Sequence, residues 1–406
     1  MKIMKHNHTI LKAACAMALA MCTLATPMAG MTGAALAEAN VYEQSEQFTE
    51  RDMSQTADLT EAQTIAVADG QDVHIADAGV YVLTGTATNV TVYVEADSDA
   101  KVQLVLDGLN LTNQDAPCVY IQSADKVFVT LSGDSALAVT GSFSEDDNAD
   151  GVIFSRSDLV LNGTATAAIS STDNGVVCKD DLKITGGTWN ITASSKAIEA
   201  NDSIRVSGGT LNLNAGTDGL HAQNSDDDAL GYIYIIGGTF AIRAGDDAIH
   251  AVSVVEIDGG TFDVTAAEGI EGTYIQINGG TIRIQASDDG INAARKSSAY
   301  SPTVEINGGD ITISMGAGDT DGIDSNGDIV VNGGTISVTG NSTFDYDGSA
   351  QYNGGTILVN GQQVSAIPNQ MMGGMRGMRG GMQGGMMGGM GGMMGGQRQR
   401  SMGGWH

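Results

Sequence analysis

The chain has 406 residues, 42% of them hydrophobic and 5% aromatic, with 56 glycines, four prolines and a formal net charge of −29. Val, Ile and Leu recur too regularly for a disordered chain. Abundant Gly with little Pro points to short strands and tight turns, and such an acidic chain is an unsuitable partner for nucleic acid or an anionic membrane.

Residues 1–37 read as a secretory signal. Lys2 and Lys5 supply the positive start, Ile10 to Met28 is largely apolar, and Ala35-Leu36-Ala37 precedes Glu38 as a cleavage site. A lipid-modified Cys22 is the rival, disfavoured by Met21 before it. A secreted or cell-surface protein is expected, and no other stretch is apolar enough to span a membrane. The first 37 residues hold three lysines and no acid, so the remainder sits at −32. Cys118 and Cys178 remain after cleavage. The repeat described below sets them two coils apart, beyond disulfide reach, which predicts two separate buried thiols.

Residues 38–58 are polar and read as a linker. Residues 59–370 read as one repeat domain. Strands of period 2 begin near Thr64 and continue through Gly79–Gly85, Val90–Val94 and Val102–Gly108. A Gly-Gly pair then recurs from Gly186-Gly187 to Gly354-Gly355, at a base period of about 20–22 residues. Two longer spacings hold insertions at 223–228 and 295–300. Apolar columns lie two before the pair (Ile184 to Val331), two after it (Trp189 to Ile357) and two further on (Ile191 to Val359). A further column runs from Val176 to Ile323. Three short strands per coil with one face inward describe an all-β parallel β-helix of roughly 11–12 coils. Asn278, Asn307, Asn332 and Asn353 form a column suited to an amide ladder. Phe344-Asp345-Tyr346-Asp347 breaks the pattern near the end. Residues 371–406, mostly Met, Gly, Gln and Arg, read as a disordered tail, with Cu(I) binding to its thioethers as the weaker alternative.

One motif recurs through the coils: an acid, a small residue, an apolar residue, then a polar one. Its copies contain Asp218 and His221; Asp246, Asp247 and His250; Glu268 and Glu271; Asp288, Asp289 and Asn292; and Asp319, Asp321 and Asp324. Stacked ~4.8 Å apart, such acids repel unless a cation sits between them. Calcium takes six to eight oxygen ligands, so these eleven acids and amides, the two histidines aside, are the expected Ca2+ ligands. His221 and His250 suit calcium poorly and are expected as sugar contacts or neutral members of the ladder. The alternative is a solvated acidic edge with Asp chosen for turns.

Ala78–Gly85, Val102–Gly108, Asp181–Thr188 and the Asp-Gly-Ile copies around Asp289 and Asp321 resemble a secreted bacterial carbohydrate-binding family with a polysaccharide-lyase-like β-helix. The resemblance covers roughly residues 60–360. It implies a right-handed parallel β-helix, bound calcium, and binding of cellulose or acidic sugars. Asp288-Asp289-Gly290-Ile291-Asn292 is also similar to the D-D-G-I-D calcium motif of pectate lyases, with Asn292 replacing the last acid.

A lyase needs a base beside the uronate proton, usually Lys or Arg. Lys196 and Arg295 are the weak candidates, and Lys196 is expected to pair with Asp218 or Asp173 instead. Arg283 could meet a sugar carboxylate. Tyr232, Tyr234, Tyr274 and Tyr300 are the expected exposed aromatic contacts. The expectation is a monomeric, calcium-containing polysaccharide-binding protein. A lyase, or an adhesin with a protein partner, is the alternative.

Overall fold

The computed structural model describes residues 40–144, 148–316 and 320–369. The signal expected at 1–37, the tail at 371–406 and Asp319 lie outside them. The described chain is a parallel β-helix. Twelve strands, from Val73–Ile75 to Ser342–Tyr346, form one parallel sheet. The 24-stranded sheet contains two further ladders, joined where Gly79–Thr88 and Lys101–Asn113 run through both. Each coil thus carries one strand from each of three ladders. The ladder before the Gly pair is called first here, the one after it second, and the 12-stranded sheet third.

Register confirms the apolar columns. Ile184 pairs with Val206, Val206 with Ile235, and the series continues to Val331. Val176 pairs with Ile198, which leads to Leu220, Ile249, Ile270, Ile291 and Ile323. All are buried. No coil closes a core alone, so stacking supplies it. Phe344 extends the last column, pairing with Ile323 and fully buried. The segment expected to break the pattern is therefore the twelfth strand of the third sheet: an aromatic ring fills the space an aliphatic side chain fills in the coils before it.

The Gly pair is a backbone requirement. Its second glycine has φ between +80° and +115° from Gly187 to Gly355, where a Cβ is strained. At Gly334 (φ +80°) an added Cβ would also come within 2.9 Å of the Gly308 backbone. Gly334→Ala is expected to cost at least about 1–2 kcal/mol, seen as a lower urea midpoint. An unchanged midpoint would contradict the left-handed turn.

The asparagine ladder forms as expected. Asn307 donates to Asn278, Asn332 to Asn307 and Asn353 to Asn332, each at 2.8 Å. The array ends in an antiparallel hairpin, Thr356–Val359 against Gln362–Gln363, turned by Asn360-Gly361 with φ +49° and +77°. Cys118 and Cys178 are free and buried, and burial pushes the Cys118 thiol up to about 12.

Residues 40–58, expected as a linker, lie against the outer face of the first ladder. The backbone N–H of Tyr42 donates to Glu256, and its ring stacks on Tyr232 at 4.4 Å. Asp52 pairs with Lys183 at 2.8 Å, and Gln55 bonds Thr185 O and Gly163 N–H. Buried polar groups on the coils find partners in this strap. It also covers Tyr232 and Tyr234, which are buried rather than exposed. Tyr274 and Tyr300 are half-buried in the same aromatic cluster.

Candidate metal centre

The acid motif sits at the corner where the second ladder enters the third sheet. Register and hydrogen bonds resolve it into two outward columns. One holds Lys196, Asp218, Asp247, Glu268, Asp289 and Asp321. The other, one residue past the buried apolar position, holds Glu199, His221, His250, Glu271, Asn292 and Asp324. Gly290 separates the columns because a Cβ there would lie 2.4 Å from Gly322 O of the next coil. The first column also caps the next coil: Asp247 N–H donates to Asp218 Oδ1 and Asp321 N–H to Asp289 Oδ1.

The upstream half is compensated by the protein's own cations. Lys196 and Lys179 share Glu199, at 3.0 and 2.9 Å. Lys196 thus pairs with Glu199, three residues on, and not with Asp218 or Asp173. His221 Nδ1 lies 2.8 Å from Asp218 and its ring stacks on His250 at 4.6 Å. His250 Nδ1 lies 2.5 Å from Asp247 and 2.8 Å from Glu271, and Lys296 reaches Glu271 at 2.8 Å. Burial disfavours a charged His250, but Asp247 and Glu271 outweigh it and push its pKa up to about 9. Glu271 is held down to about 2, because His250 and Lys296 outweigh its burial. His221 is buried and His250 nearly so, which leaves their rings little surface to offer a sugar.

The downstream half has no such compensation. Among the described residues, Glu268, Asp289, Asp321 and Asp324 form no ion pair with a basic side chain. Burial and then Glu271 push Glu268 up to about 8. Burial, then Asp321's N–H against it, then the charges of Asp288 and Asp321 leave Asp289 raised to about 6. Burial, Asp289, Asp345 and Asp321 raise Asp324 to about 7. Asn292 stands among these acids. Its Nδ2 donates to Glu268 at 3.0 Å, while its Oδ1 is buried without a hydrogen-bond partner.

These oxygens fit a hard cation. Carboxylates and an amide oxygen are the donors calcium takes, and a cation would relieve both the mutual repulsion and the orphaned Oδ1. The tightest carboxylate–imidazole group is instead Asp247, His250 and Glu271, with ligand atoms within 4.8 Å of one another. There the imidazolium already supplies the positive charge. The downstream carboxylates are less closely gathered. Asp246 and Asp288 are exposed beside the columns.

Of the remaining candidates, Arg283 lies exposed on the second ladder, away from these columns. Arg295 is exposed in the second insertion, with no ion pair among the described residues. Ser297 of that insertion donates to Asp228 O of the first, so the two insertions meet. A second acid group, Asp158, Asp180 and Asp181, lies outside the recurring motif, where strands Asp158–Gly163 and Asp181–Ile184 of the first ladder begin. Its signal was the alignment of Ser157-Asp158 with Asp180-Asp181. Lys126 and Arg205 partly neutralise it.

A model of the carbohydrate-binding domain-containing protein family matches residues 69–320 and 269–365. A carbohydrate-binding domain-containing protein of Acetivibrio thermocellus is 34% identical over 132 residues, covering 31% of this chain and 46% of that protein. The match thus spans less than half of the relative's length. The solved polysaccharide lyase-like protein from C. thermocellum, a gadolinium derivative, shares 22% identity over 74% of this chain and 94% of that one, at a TM-score of 0.42. That superposition is too loose to carry residues across. By the family match over most of its length, the chain belongs to the carbohydrate-binding domain-containing protein family.

Proposed function

We propose that this is a secreted, non-catalytic polysaccharide-binding protein that holds calcium on its third sheet. Glu268, Asp289, Asn292, Asp321 and Asp324 would be the ligands. The observation that carries the metal is the buried, unpartnered Asn292 Oδ1 amid carboxylates that lack a basic partner. Calcium would neutralise these acids and offer open coordination positions to sugar hydroxyls or carboxylates. The family match supports the glycan, and the charge pattern of residues 1–37 supports secretion. The lyase reading has no comparable support: Lys196 is engaged by Glu199, and Arg295 has no oriented partner among the described residues.

The test is calorimetry with polygalacturonate, cellulose oligomers and mucin-type glycans, in calcium and in chelator. The expected outcome is binding to an acidic or plant-type glycan that weakens at least about tenfold in chelator. Binding to none of them would end the proposal.

A further inference from the structure

We propose that the outer face of the second ladder is a docking groove for an acidic polysaccharide, with Arg243 and Arg283 pairing with its carboxylates. The proposal rests on the carbohydrate-binding reading and gives it a surface distinct from the metal columns.

The groove follows from what the strands point outward. Two adjoining depressions, of about 300 and 480 Å3, share Thr265 in their walls. Small residues make the floor: Ala241, Ala244, Gly245 and Ala267. Ala241 stands in a column whose neighbours are Asn212 and Asp263, so a missing side chain opens a notch at mid-face. From Asn190 to Ser314 the depressions cross six coils. Five steps between coils make roughly 24 Å, enough for several sugar units in a row.

Charge selects the occupant. The chain beyond the signal sits at −32, and all six of its lysines that lie among the described residues form ion pairs, as does Arg205. Arg243 and Arg283 have no ion pair among the described residues, although Asp263 stands beside Arg283 in register. Both are exposed on the outer face of the second ladder: Arg243 lines the upstream depression, and Arg283 stands at its edge, one coil on from Asp263. A guanidinium offers a planar fork that matches a carboxylate. Asp263 also lines the upstream depression; the other outward groups there suit hydroxyls: Asn190, Asn212, Asn214 and Thr192 line its upstream end, and Asn212 is already oriented by its bond to Asn190 at 2.7 Å. The outward columns from Thr188 to Thr339 carry no aromatic ring on which a neutral sugar could stack. Their chemistry therefore favours a uronate chain over a neutral one. At the downstream end, Ala267 and Ser287 directly precede Glu268 and Asp288 in sequence, so a bound chain would approach the metal columns.

Calorimetry with polygalacturonate in calcium buffer tests this on the whole chain. Arg243→Gln with Arg283→Gln should weaken binding at least about tenfold. Ala241→Trp, which fills the notch without changing charge, should do the same, while Lys101→Gln on the first ladder should bind as wild type. Circular dichroism verifies that each variant folds. Wild-type affinity in both the double variant and Ala241→Trp would overturn the groove and leave the carbohydrate reading standing. A neutral glucan that binds through Ala241 but ignores both arginines would overturn the acidic assignment. No binding of any glycan to the wild type would remove the carbohydrate reading itself, and the groove with it.

Discussion

Metal-stripped protein is expected to gain roughly 5–10 °C in Tm when calcium is added to about 100 times its Kd, and the Asp289→Asn, Asp324→Asn double variant to gain nothing. Ligand at that excess stabilises by about 2.7 kcal/mol, and a large domain shifts by about 2–4 °C per kcal/mol. Proton linkage sharpens the test. Glu268, Asp289 and Asp324 have folded pKa values of about 8, 6 and 7, above their ordinary values of 4.5, 3.8 and 3.8. Between those limits the metal-free fold binds more protons than the unfolded chain, so its stability falls as pH rises from about 4 to about 8. Bound calcium removes the penalty, so its benefit should grow over the same range. The double variant should also be more stable than metal-free wild type at pH 8, because it lacks two repelling charges. Thermal melts at pH 5 and pH 8, with calcium and with chelator, measure all of this. A double variant that melts below metal-free wild type at pH 8, or that still responds to calcium, would place the ion elsewhere.

The repeat was legible because periodicity fixes neighbours. An apolar residue at one position of every coil, glycine where φ is positive, and stacked asparagines each follow from the backbone geometry of one coil copied along the chain. The same register put Asp247 beside Glu268, and Asn292 beside Glu271 and Asp324. What register does not say is which neighbours pair. His250 inserts between Asp247 and Glu271, and Lys296 arrives from the insertion at 295–300, which lies outside the repeat. Those two cations divide a column of similar acids into a compensated half and an uncompensated one. The choice depends on side-chain reach, which a repeat alignment does not contain. Tyr232 and Tyr234 show a related gap. Their outward positions on the first ladder were readable, but the strap over them was not, since residues 40–58 follow no repeat and bond to residues more than a hundred positions away.

Asp52→Ala is expected to cost about 3–5 kcal/mol, the usual penalty for stranding a buried charge. Asp52 is fully buried. It accepts from Lys183 at 2.8 Å and from the N–H of Thr49, and lies 3.7 Å from Lys126. Burial alone would raise its pKa, but Lys183, the Thr49 N–H and Lys126 together hold it below the usual carboxylate value. Its contribution is therefore present above pH ~3.9 and lost as pH falls through the lower folded value. Lys126 retains Asp158 at 3.4 Å, so Lys183, itself only 8% exposed, bears most of the loss. Adding Lys183→Met should recover much of the stability, because it removes the stranded ammonium and keeps the volume. Trypsin gives an independent reading at Arg51, whose guanidinium rests over the Phe128 ring at 4.4 Å. Asp52→Ala should loosen the strap there and speed cleavage. A wild-type urea midpoint together with an equally resistant Arg51 would mean that the segment adds nothing to the fold and acts as the linker its polar composition suggested.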